Sequence, residues 1–86
     1  MTDTPTYPTR EEIIAQNIEM RRHAVLCYDI NITNYEMALA TLNAQAELDA
    51  DDVAYKARLE ELLASERRER KKEALMLQVL EAQATP

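Results

Sequence analysis

Not one of the 86 residues is glycine, and that absence constrains the fold more than any other feature. Glycine supplies the positive-φ positions on which tight turns, many helix C-caps and phosphate-cradling loops depend. A chain without it suits long regular elements joined by open connections. Phe and Trp are absent too, while Ala, Leu, Glu and Arg abound, a composition of long helices rather than sheets. The expected fold class is all-α: a long antiparallel helical hairpin, coiled-coil-like, that assembles into a helical bundle.

The periodicity places the first helix over 9–48. Thr9, followed three residues later by Glu12, forms a capping-box pattern, and the acids of the first turn suit the positive end of the helix dipole. From there a seam runs through Ile18, Val25, Tyr28, Ile32, Tyr35, Leu39, Leu42 and Ala46 in steps of three and four, with one position skipped at Arg21. The segment 28–35 contains only middling helix formers, together about 4 kcal/mol worse than alanine, and Thr33 with Glu36 repeats the capping-box pattern. A kink near 29–34 is therefore allowed for, although the heptad phase passes through without a slip.

Clustered aspartates place a turn at 48–51, with Asp49 or Asp51 as the cap of a second helix over 51–83. The packing positions expected in that helix are Leu59, Leu62, Met76 and Leu80. Its middle, 65–73, is wholly polar with both signs at neighbouring helical positions and reads as a solvated face. Folding back at the turn sets this charged middle opposite 26–34, where Leu26, Ile30 and Ile32 face Arg, Lys and Glu. The segment 1–8 is expected to be disordered and 84–86 to fray.

A two-helix hairpin buries one stripe per helix. At about 1.5 to 3 kcal/mol per buried large side chain, this barely offsets an ordering cost of about 1 to 2 kcal/mol per residue. Further burial is expected, through a dimer or tetramer of the chain itself or through another protein, covering Leu26, Ile30 and Met37 as well as the seam. No basic start followed by an apolar stretch marks a secretion signal, and no run approaches the roughly 18 to 20 apolar residues that span a bilayer. The lone Cys27 forms no internal disulfide. Cytoplasm is the expected setting, or host cytoplasm for a virus-encoded chain.

Several clusters invite a chemical reading. Glu19, His23 and Cys27 recur every four residues on one helix face, half of a zinc-binding pattern, but no second cluster completes it. Neither a metal nor any other cofactor is predicted. Arg67, Arg68, Arg70, Lys71 and Lys72 could meet phosphates or an acidic protein; interleaved glutamates and the lack of nearby aromatic side chains favour a solvated face, and nucleic acid is a minority reading. Glu47, Asp49, Asp51 and Asp52 make the turn acidic, suited to solubilising it or to imitating a phosphate array. One histidine and no glycine-built loop leave no organised nucleophile, base or oxyanion hole, so neither an enzyme nor a small-molecule substrate is expected.

With sixteen acidic against ten basic side chains the formal charge is -6. Acidic, wholly helical short chains of this kind are frequent among accessory proteins of viruses and mobile elements. The leading expectation is a self-associating structural or adaptor module. The alternative is a small acidic inhibitor of a nucleic-acid-processing protein.

Overall fold

The structure, a computed structural model, describes residues 6–84. Two helices, α1 (Arg10–Asn43) and α2 (Ala50–Ala84), pack against each other as a hairpin. At 34 and 35 residues they run about 51 and 53 Å. Of the expected disordered segment, 1–5 lies outside the described residues and 6–9 precedes α1 without regular structure; of the expected frayed tail, Ala84 ends α2 and 85–86 lies outside.

Both helices begin as their caps dictate. Thr9 is extended at ψ 165°, and its hydroxyl accepts from the Glu12 amide at 3.1 Å, the first of the two bonds of a capping box. Asp49 Oδ1 accepts from the Asp52 amide at 2.8 Å, which decides between the two aspartates considered as the cap of α2. With Asp51 and Asp52 in the first turn, the acids stand where the helix dipole favours them.

Two boundaries differ from the sequence reading. Helix α1 ends at Asn43 rather than near 48, and the connection occupies 44–49 rather than 48–51. Among the described residues no φ is positive. The connection turns through ordinary backbone conformations and uses no position at which glycine would be favoured. Ala44 remains in the αR region, its amide donating to the Ala40 carbonyl at 3.1 Å. Ala46, expected at the end of the seam, therefore lies in the connection.

Helix α1 continues without interruption through 29–34. Thr33 does not restart it; its hydroxyl donates to the Asp29 carbonyl one turn back, at 2.8 Å, so the second capping-box pattern is unused. Tertiary packing overrides the weak local propensity.

The two helices share one seam. In α1, positions 14, 18, 21, 25, 28, 32, 35, 39 and 42 are buried or half-buried, and in α2 positions 52, 56, 59, 63, 66, 70, 73, 77 and 80 are. Both series alternate steps of three and four throughout, the signature of coiled-coil packing. Four side chains are buried outright, Ile18, Leu42, Leu59 and Leu63. They lie toward the two ends of the hairpin. The stripe in α2 differs from the expected one: Leu63 rather than Leu62 is the buried leucine, and Leu77 rather than Met76 faces inward, Met76 being 42 % exposed. Replacing Leu77 with Ala should lower the unfolding free energy by about 1 to 2 kcal/mol, and Met76→Ala by less than about 0.5. Chemical denaturation followed by circular dichroism measures both, and equal losses would contradict the seam phase.

Candidate interaction site

The middle of the hairpin is held by side chains that cross between the helices. Arg22 meets Glu81 at 3.5 Å and Glu36 meets Arg67 at 3.0 Å. Moving from the first pair to the second advances fourteen residues along α1 and retreats fourteen along α2, which fixes an antiparallel register in phase over two heptads. One heptad along from each pair, this register brings Asp29 to the level of Ala74. Ala74 is small and half-buried, and Asp29 is met instead by Arg70, one turn away. Its guanidinium grips the Asp29 carboxylate through Nε on Oδ1 and Nη2 on Oδ2, the latter at 3.3 Å. Planar two-point recognition of this kind is open to Arg and not to Lys. The hydrogen bond and charge of Asp29 raise the Arg70 pKa further above its already high value, so Arg70 stays cationic wherever the chain folds.

On the seam itself, Arg21 Nη1 donates to both carboxylate oxygens of Glu73, at 2.9 and 2.8 Å. This is the most sheltered ion pair, with side chains 37 % and 21 % exposed. Asn31 donates to Glu66 at 3.2 Å. The segment 65–73, expected to be a solvated face, thus contributes Glu66, Arg70 and Glu73 to the inward stripe. Charge in mid-seam is tolerated because each of these groups has a partner on α1 and an edge open to water; a closed core would demand several kcal/mol of desolvation per ion. Pairs this open are each worth about 0.2 to 1 kcal/mol.

The apolar mismatch expected between the helices is also narrower than the sequence implied. Ile32 faces α2, but Leu26 and Ile30 are 54 % and 51 % exposed and point away from it. Apart from Ala46, the expected seam of α1 lies along the inward side: Ile18 and Leu42 are buried, and Val25, Tyr28, Ile32, Tyr35 and Leu39 are half-buried. In α2, Leu59 is buried at 2 % exposure and Leu62 and Leu80 are half-buried.

The two charged clusters are not free arrays. In the basic cluster Arg67 is paired with Glu36, Arg70 with Asp29 and Lys72 with Glu69, which leaves Arg68 and Lys71 without an ion pair among the described residues. In the acidic cluster Asp49 is the helix cap; Glu47 and Asp51 are exposed, Asp52 is half-buried, and none of these three forms an ion pair among the described residues. His23 Nε2 lies 3.6 Å from Cys27 Sγ on the exposed side of α1. Among the described residues no three His, Cys, Asp or Glu side chains gather as a metal site requires.

Arg21, Asp29, Glu36, Glu66 and Glu73 were missed as packing residues because the seam was traced through apolar side chains alone. Steps of three and four from Leu59 lead without a slip either through 63, 70 and 77 or through 62, 69 and 76, and the structure takes the first path.

The geometry defines an antiparallel two-helix coiled coil with a polar mid-section. No family model, curated protein or solved structure matches the chain. No helix among the described residues is long and apolar enough to cross a membrane. For the mid-section, Glu73→Ala should lower stability by about 1 kcal/mol, a value discounted for exposure. Arg21→Leu combined with Glu73→Leu should raise it by about 1 kcal/mol or more, since apolar groups of similar size replace ions already partly desolvated. Thermal melts of the three proteins give the order, and a double variant less stable than Glu73→Ala would refute this account.

Proposed function

We propose that the chain is a non-catalytic protein-interaction module, a self-associating helical hairpin that serves as a structural or adaptor component in the cytoplasm. The observation that carries this reading is the thinness of the core. Among the described residues only Ile18, Leu42, Leu59 and Leu63 are buried, while Leu26, Ile30, Met37, Leu75, Met76 and Val79 are 42 to 62 % exposed on the outer sides of the same two helices. A single hairpin has little to set against the entropy of ordering two long helices. Exposed apolar side chains in this number mark surfaces that assembly covers. Light scattering during size exclusion, across a concentration series, is the test: the expected species is a dimer or tetramer, and a well-folded monomer at every concentration would remove the self-association from the reading.

A second reading is favoured by the charge at the connection. Residues 44–61 hold six acidic and two basic side chains, four of the six net negative charges, and Glu47 and Asp51 have no ion-pair partner there. An acidic helical tip of this kind supports the role of an inhibitor seated in the basic groove of a nucleic-acid-processing protein. Changing Asp49, Asp51 and Asp52 together to Asn should abolish such binding with little loss of stability, because Asn caps a helix as well as Asp. Undiminished binding of a captured target by the triple variant would exclude the tip as the site.

A further inference from the structure

From His23 to Ala46 the chain has two charged side chains, Asp29 and Glu36, and both are engaged by Arg70 and Arg67 of α2. The outward face of α1 is therefore free of charge over most of its length, in a chain of which 30 % is charged. Its large side chains are apolar and open to solvent: Leu26 at 54 %, Ile30 at 51 % and Met37 at 57 % exposure. A helix face meant for water carries charge.

The arrangement of that face identifies its occupant. His23, Leu26, Ile30, Thr33, Met37 and Ala40 follow one another in steps of three, four, three, four and three, a second heptad stripe that reads the same from either end. We propose that a second copy of the chain covers this face. The α1 helices then run antiparallel about a two-fold axis between positions 31 and 32. This rests on the self-association reading above and specifies its surface. In this register Leu26 meets the partner's Met37, Ile30 meets the partner's Thr33 and His23 meets the partner's Ala40. Within each of the last two pairs a bulkier side chain lies against a smaller one, as interdigitating layers require, and the contact is the same patch on both chains, as a two-fold interface demands.

Two further observations agree. A shallow depression of about 250 Å³ is lined by Ile30, Thr33, Asn34 and Asp29, the last a carboxylate already paired with Arg70, and the proposed axis maps those four positions onto one another. The acidic connections also select the direction. Parallel helices would bring two connections of like charge together, whereas the antiparallel arrangement separates residue 44 of the two chains by about 38 Å, several Debye lengths at physiological salt.

The native cysteine makes the register testable. At 1.5 Å per residue Cys27 lies about 3 Å along the helix axis from the partner's position 34, and about 13 Å from the partner's Cys27. A disulfide requires Cα atoms within about 7 Å. Mild oxidation should therefore leave the natural chain uncrosslinked and convert Asn34→Cys into a covalent dimer. Leu26→Lys combined with Ile30→Lys, which leaves the seam untouched, should lose the dimer by light scattering while helix content by circular dichroism is retained. A dimer that survives this double substitution, or a natural chain that crosslinks through Cys27 as a parallel pair would, overturns the proposed interface while self-association stands. A natural chain that is monomeric throughout the concentration series overturns both.

Discussion

The hairpin depends on a register, and the register depends on charge. A seam with four buried aliphatic side chains says little about whether α2 should slide by a heptad, because a slip of seven residues preserves the inward stripe. The cross-helix pairs remove that freedom. Slipping α2 one way sets Glu36 at the level of Glu60 and Arg22 at Ala74 while bringing Asp29 to Arg67; slipping it the other way sets Asp29 at Glu81 and Glu36 at Ala74. Each slip breaks the Arg22–Glu81 and Glu36–Arg67 pairs and sets one pair of carboxylates against each other at the edge of the seam. Individually weak ion pairs thus do more to select one alignment than to stabilise it.

The same pairs explain how much was legible in advance. The helical hairpin, the cap at Thr9 and the inward stripe of α1 follow from residues whose local signals agree: a hydroxyl before acids, and aliphatic side chains three and four apart. The expected and observed stripes of α2 follow paths that share 59, 66, 73 and 80. They differ in the other heptad position, 63, 70 and 77 in place of 62, 69 and 76, because leucines stand at both 62 and 63 and apolar side chains at both 76 and 77. The physics that holds the charged middle, Arg21 on Glu73 and Arg70 on Asp29, is pairwise between helices. A single helix's sequence carries half of each pair. The early end of α1 at Asn43 was hidden for a different reason: 44–48 has good helix formers, and the constraint that overrides them is the reversal of the chain.

Interaction chemistry was legible at the level of residues and not of availability. The basic cluster at 67–72 is an obvious feature of the sequence, yet Arg67, Arg70 and Lys72 are engaged by carboxylates, and a phosphate would compete with those bonds before binding. The acidic connection is the reverse case. Asp49 is committed to the backbone, but Glu47, Asp51 and Asp52 form no ion pair among the described residues, so negative charge at that end of the hairpin is not neutralised by a neighbour there.

The charged seam and the uncharged outer face are two aspects of one distribution. In the middle of the hairpin α2 turns Glu66, Arg70 and Glu73 inward, while α1 presents Val25, Tyr28 and Ile32 to that seam and Leu26, Ile30 and Met37 to the opposite side. The middle of α1 thus carries no charge apart from Asp29 and Glu36, which α2 engages through Arg70 and Arg67, and its exposed positions mix Leu26, Ile30 and Met37 with the uncharged Asn31, Thr33 and Asn34. A helix that is hydrophobic around its circumference belongs inside an assembly, and a helix with charges on every side belongs at its periphery. The self-association proposed above would place α1 between α2 and the second copy.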